Sequence, residues 1–158
     1  MKPLDLLKTA EALLKVGGGN VSQANLRRAH STVYYAMFHA LAGCCADMLV
    51  GGTGSDRGEK AWRQVYRALE HGYSKQVCKQ PTLMKRFPKS IEDFGSFYVA
   101  MQAKRHSADY DPFIKLGKSE VRADLDQAKI AIEGLRREEL KHRRAFCAYV
   151  LLKNRDHG

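Results

Sequence analysis

The residues best suited to chemistry lie in the string Lys104-Arg105-His106-Ser107-Ala108-Asp109-Tyr110-Asp111-Pro112. A guanidinium is a permanent cation whose planar fork of donors fits a phosphate or a carboxylate. Ile91, Phe94, Tyr98 and Met101 recur at helical spacing as an apolar stripe, and Arg105 is the next position on it. The spacing therefore aims a charge at a core or an interface, where it is costly unless paired or used. Asp109, one helical turn on, is its local partner. Two readings follow, a structural ion pair closing a helix or a cationic site at a cleft or subunit seam.

Around Arg105, three further groups bear on proton chemistry or anion binding. Tyr110 follows after four intervening residues. With an ordinary pKa of about 10 it is a poor general base at neutral pH, though its hydroxyl can donate to a phosphate or act as a weak acid. His106 is adjacent to Arg105, so it turns away from it and shares a helix face with Tyr110. Upstream, His30 is close to Arg27 and is a candidate for a polar cleft. His39 follows an aromatic run and fits a hydrogen-bonded core or interface histidine. Tyr34 and Tyr35 read mainly as packing residues, with hydroxyls able to reach Arg105 or Asp109. The catalytic candidates are thus Arg105, Tyr110 and His106, and the cleft-lining candidates are Asp109, His30, Tyr35 and His39. Arg137-x4-His142 and Arg136-x5-His142 lie in a segment rich in arginine and read as a solvated charge face.

Five helical segments position these residues. The first runs from about Pro3 to Lys15, with Leu6/Leu7, Ala10 and Leu13/Leu14 on one stripe and Gly17-Gly18-Gly19 ending it. The second, about Ser22 to Leu49, is apolar nearly all round from Val33 onward, which predicts a central or interfacial helix. A glycine-rich loop, Gly51 to Gly58, lacks the Gly-Lys-Ser/Thr ending of a phosphate-binding loop and reads as a linker. A third helix is expected over Glu59–Cys78, with Trp62, Val65/Tyr66 and Leu69 facing inward. A fourth is capped by Ser90 and stops near Tyr110, because Pro112 disfavours helix at Asp111. The fifth is capped by Ser119 and continues past Gly134 to about Lys153 as one long helix. No strand pattern competes. The expected fold is all-α, an up-and-down bundle of four to five helices over residues 1–134, with residues 135–158 as a C-terminal helical extension. That extension is polar from Arg136 to Arg144 and apolar from Ala145 to Leu152, which suggests docking on another subunit or back on the bundle.

Composition sets the outer bounds. A chain of 158 residues with 44% hydrophobic and 28% charged residues is enough for one globular domain with a proper core. The net charge of +10 suits a polyanionic partner such as nucleic acid or an acidic protein. Cys44, Cys45, Cys78 and Cys147 include no C-x-x-C pair and no spacing that completes a zinc site, so no metal or cofactor is expected. Reduced cysteines, the absence of a signal-like apolar segment and the polar residues His39 and Asp47 inside the most apolar stretch predict a cytoplasmic protein without a membrane span.

Two strings together carry a resemblance. Leu26-Arg27-Arg28-Ala29-His30-Ser31-Thr32-Val33-Tyr34-Tyr35-Ala36-Met37-Phe38-His39 resembles the second-helix signature of bacterial HEPN-domain proteins. Arg105-His106-Ser107-Ala108-Asp109-Tyr110 resembles the R-x-x-A-D-Y string that the same branch carries late in the domain. The resemblance covers about Pro3 to Gly134. It implies a four- or five-helix bundle, a homodimer, and association with RNA, with toxin–antitoxin or defence systems, and with a nucleotidyltransferase partner. Active members carry R-x(4–6)-H in a cleft between protomers, the arginine on the scissile phosphate and the histidine moving protons. Metal is unnecessary when the RNA 2′-hydroxyl is the nucleophile. Here the histidine position holds Tyr110, so the resemblance implies a degenerate site that binds or regulates. A metal-independent endoribonuclease using Arg105 is the alternative, and a helical scaffold assembling through the tail is the third.

Overall fold

A helix apolar on nearly every side has to be surrounded, and α2 (Gln23–Val50) is. In a computed structural model, which describes residues 1–155, the protein is all-α. Helix α1 (Pro3–Lys15) lies along α2, followed by α3 (Glu59–Ala68), α4 (His71–Cys78), the single turn α5 (Pro81–Met84), α6 (Lys89–Tyr110), α7 (Lys118–Arg137) and α8 (Leu140–Leu151). Helices α1, α3, α6, α7 and α8 all pack on α2. Val33, Tyr34, Met37, Leu41 and Cys45 of α2 are fully buried against Leu7, Leu14, Phe94, Tyr98, Leu125, Ile132 and Phe146. By length and composition α2 could also cross a bilayer; here those apolar side chains form the centre of the bundle.

Local signals explain where the helices begin and end. The Ser22 hydroxyl accepts from Asn25 N at 3.1 Å and starts α2. Gly17 and Gly18, at φ +83° and +68°, make the turn out of α1. Gly95 allows close approach of α6 to α4 and α5, since a Cβ there would lie 2.6 Å from Met84 Cε.

Arg27 ties α2 to the C-terminal end of α6. Its guanidinium donates to the carbonyls of Ala108 at 3.0 Å, Asp111 at 2.6 Å and Ile114 at 2.7 Å. Carbonyls at a helix C-terminus lack intrahelical partners, and a cation there also meets the negative end of the helix dipole. One turn earlier, Gln23 donates to Leu116 O and accepts from Leu116 N, fixing the loop after α6.

The structure corrects three sequence expectations. The helix expected over Glu59–Cys78 breaks at Leu69 and Glu70, both extended, because Leu69 turns inward to 5% exposure and redirects the chain. The long final helix breaks at Glu138, whose carboxylate accepts from the Ser90 hydroxyl and from Glu139 N while its carbonyl accepts from Arg143 Nε. The extension is therefore a separate helix folded back on α2 and α4, with Phe146, Cys147 and Val150 buried. Ser90 and Ser119 do not cap: α6 begins at Lys89 behind Pro88, and α7 begins at Lys118 behind Gly117. The all-α bundle is as expected, built from eight helical segments among the described residues, one of them the single turn α5.

Because Arg27 holds three carbonyls from a part-buried position, Arg27→Ala is expected to destabilise the fold by about 2–3 kcal/mol, the scale of lost charge-assisted hydrogen bonds. Urea denaturation followed by circular dichroism measures this, and an unchanged midpoint would contradict the assigned role.

Candidate functional site

Arg105 occupies the last turns of α6, and its side chain is 16% exposed. The guanidinium carbon lies 5.5 Å from the centre of the Tyr34 ring and 5.8 Å from that of Tyr35, so the charge rests against two aromatic faces. Its one carboxylate contact, Nη1 to Asp109, is long at 3.4 Å, and its Nε is buried without a hydrogen-bond partner among the described residues. Asp109 also accepts from the Ser31 hydroxyl at 3.4 Å. This ion pair is too loose to use the donor capacity of Arg105. Beside it, Arg28, Ser31, Tyr35 and Asp109 line an open depression of about 460 Å³ between α2 and α6. Arg28 is exposed and has no carboxylate partner among the described residues.

A histidine absent from the sequence candidates completes the cluster. The break at Leu69–Glu70 puts His71 at the first position of α4, where its ring stacks on Phe38 with centroids 3.9 Å apart. His71 lies 5.7 Å from the Tyr34 ring and edge-on to Tyr35 at 6.1 Å, so it flanks the same two tyrosines as Arg105. Its Nδ1 is 2.6 Å from the Tyr34 hydroxyl. Gln102, one α6 turn before Arg105, donates to the His71 carbonyl at 3.3 Å. Burial first, then the positive charge of Arg105, holds the imidazole below its ordinary pKa. It is therefore neutral near pH 7. Burial also pushes Tyr34 upward and raises Tyr98 to about 12, so both hydroxyls keep their protons.

The other sequence candidates are distributed differently. Tyr110 is 67% exposed and His106 is exposed, and their rings meet at 4.9 Å on a face of α6 turned from the tyrosine cluster. The structure brings neither to Arg105 within one chain. Nor does His30 line the cleft: it is 1% exposed and bonds Asp124 at 2.7 Å, and Asp124 also accepts from Lys104 at 2.8 Å. His39 is half-buried, bonds the Tyr66 hydroxyl and lines a separate cavity of about 280 Å³. Arg137 pairs with Glu133 at 2.9 Å, and the break at Glu138 puts His142 on a different helix. The sequence did not single out His71, because the break residues Leu69 and Glu70 are neither glycine nor proline and Gly72 falls just inside α4.

His30, Glu120 and Asp124 place three possible ligand atoms within 4.8 Å of one another. Lys104 already brings an ammonium group to this carboxylate, which supplies the neutralising charge and opposes a metal ion. The cluster is a buried ion pair completed by a histidine. No family model, curated protein or solved structure matches the chain.

For Asp124, burial alone would raise the pKa, but the hydrogen bonds from His30 and Lys104 outweigh it and hold the carboxyl below its ordinary 3.8. A depressed carboxyl pKa stabilises the fold above the unfolded-state value and ceases to do so as pH falls through the folded one. The stability lost in Asp124→Asn is therefore expected to shrink as pH falls below about 4. Urea titrations at each pH test this. Adding Zn²⁺ or EDTA is expected to leave the thermal midpoint unchanged.

Proposed function

We propose that the chain is a HEPN-like, dimeric module that associates with RNA, with Arg105 holding a backbone phosphate. Its role is binding or regulation within a toxin–antitoxin or defence system, with a nucleotidyltransferase as the protein partner. The observation that carries the reading is the state of Arg105. Its guanidinium is oriented by two tyrosine faces, has one 3.4 Å carboxylate contact, and its neighbours Tyr35 and Asp109 line an open depression with Arg28, which has no carboxylate partner among the described residues. A cation kept oriented with donors in reserve is matched to an anion, and the net charge of +10 favours a polyanion. The exposure of Tyr110 away from this cluster argues against an R-x4-Y motif working within one chain. Phe113, 88% exposed, and Tyr110 form an apolar edge beside the cleft, which supports a subunit seam there. The tail-mediated scaffold loses its motive, since α8 is spent on its own bundle.

Fluorescence anisotropy with a labelled single-stranded RNA tests the binding reading. Arg105→Ala is expected to weaken binding about tenfold and to reduce the slope of log K against log salt by roughly 0.7 to 1, the signature of one lost phosphate contact. Tyr110→Phe should match the unmodified protein. Equal affinity for Arg105→Ala would overturn the assignment. Sedimentation should give a dimer that Phe113→Ser weakens.

A further inference from the structure

We infer that the cavity bounded by α2, α3, α7 and α8 is a binding site for a small aromatic carboxylate, with Arg136 and Arg143 taking the carboxylate and the α2–α3 wall taking the ring. The cavity shares no lining residue with the Arg105 cluster. The inference goes beyond the RNA reading and does not rest on it.

The cationic side comes from the two helices that meet at the break after α7. Arg136, in the last turn of α7, and Arg143, in the first turn of α8, both line a cavity of about 280 Å³. Arg143 Nε donates to the Glu138 carbonyl at 2.9 Å. That bond anchors the guanidinium and leaves its two terminal nitrogens without a hydrogen bond among the described residues. Arg136 has neither an ion pair nor a side-chain hydrogen bond among them, because Glu133 is taken by Arg137 at 2.9 Å. Lys2 lines the same cavity and is also without a carboxylate partner among the described residues. Like charges gathered on one cavity repel, and an anion between them removes that cost.

The one carboxylate in the lining does not supply that anion. Asp47 accepts from Trp62 Nε1 at 2.9 Å and lies 3.3 Å from Arg57, so its charge is answered on the α2–α3 side. His39 is held below its ordinary pKa by burial and adds no charge near neutral pH. The unanswered charge in the cavity is therefore positive.

The remaining lining is built for a flat apolar body. His39, Tyr66 and Trp62 form a continuous stack, with centroids 5.8 and 5.2 Å apart and planes inclined by 24° and 29°. Gly43, Cys44, Met48 and Leu135 add apolar surface. Gly43 lies inside α2, where glycine costs helix stability relative to alanine. Its missing side chain keeps space open before Tyr66, whose Cε2 would be 3.8 Å from a Cβ there. An aromatic ring meets such a wall edge-to-face or offset, whereas a bare phosphate gains nothing from it. A carboxylate conjugated to a ring has two oxygens near the ring plane and fits a guanidinium fork. One flat molecule thus reaches both sides of the cavity. The volume is at the small end for ligand pockets, which suits about one or two fused rings.

Trp62 is the chain's one tryptophan, so a single indole resonance reports on this wall. The experiment titrates the full chain with 2-naphthoate and follows the ¹⁵N–¹H cross-peak of Trp62 Nε1. The expected result is a saturable shift with a Kd below about 1 mM. Arg136→Gln and Arg143→Gln should each weaken binding about tenfold or more, the scale of one lost charge-assisted hydrogen bond. Arg136→Gln should do so with an unchanged thermal midpoint, because no bond of the fold depends on Arg136; it decides the matter should Arg143→Gln unfold. Gly43→Leu should abolish binding by filling the cavity. The uncharged isostere 2-naphthamide should bind at least about tenfold more weakly than the acid and be indifferent to Arg136→Gln. Absence of a saturable shift, undiminished affinity in Arg136→Gln, or naphthamide binding as tightly as naphthoate would overturn the inference. Cyclohexanecarboxylate binding as tightly as naphthoate would overturn the aromatic part. Displacement of naphthoate by equimolar inorganic phosphate or by single-stranded RNA would assign the two arginines to phosphate and overturn it as well. Each of these failures leaves the reading of Arg105 to its own RNA-binding test.

Discussion

A 28-residue helix whose apolar residues point in nearly every direction can be accommodated only by collecting neighbours around it, and this one requirement on α2 organises the molecule. Helices α1, α3, α6, α7 and α8 all pack on it. Arg27, Arg28, His30 and Ser31 fall in its N-terminal third. The C-terminal end of α6 is the element they meet, and it brings Lys104, Arg105 and Asp109. Charge is thus concentrated around one end of the α2–α6 pair.

Within that region two cationic groups are treated in opposite ways. Lys104 is held 2.8 Å from Asp124, whose same oxygen is 2.7 Å from His30. That cluster is closed, and its members compensate one another's desolvation. Arg105 has a long contact and an unused Nε, and is supported instead by two aromatic faces. A cation–aromatic contact of about 0.5–2 kcal/mol offsets part of the burial cost while leaving the in-plane donors free. The difference between a satisfied cation and an oriented but under-used one is the physical ground for reading the first as structure and the second as function.

Much of the fold was legible in the sequence. The apolar stripes, Pro3, Ser22 and the Pro112 stop locate α1, α2 and the end of α6 to within a residue or so. Neither pair of break residues, Leu69–Glu70 or Glu138–Glu139, contains proline or glycine, though Gly72 follows the first just inside α4, and tertiary contacts hold both: Leu69 entering the core, and Ser90 with Arg143 gripping Glu138. Arg105 could be found because a charge on an apolar stripe is a local contradiction. His71 could not, since its partners Tyr34, Phe38 and Gln102 are all more than thirty residues away and meet it only after the chain turns at Leu69. His30 sits within a motif beside arginines, yet burial by α7 turns it from a cleft residue into the partner of Asp124.

The break at Leu69–Glu70 therefore links fold to chemistry. Had α3 continued unbroken to Cys78, His71 would be an interior residue of that helix, with its direction set by helical periodicity. As the first residue of a new helix it follows an extended pair whose direction is set by the burial of Leu69. The imidazole can then lie flat on Phe38 while Nδ1 meets Tyr34. Tyr34 is itself immobile, fully buried and stacked on Tyr98 at 5.6 Å. One hydrophobic side chain entering the core thus fixes a polar ring against a rigid aromatic wall, and Arg105 rests on the same wall. The geometry of two groups distant in sequence depends on packing that neither of them contributes.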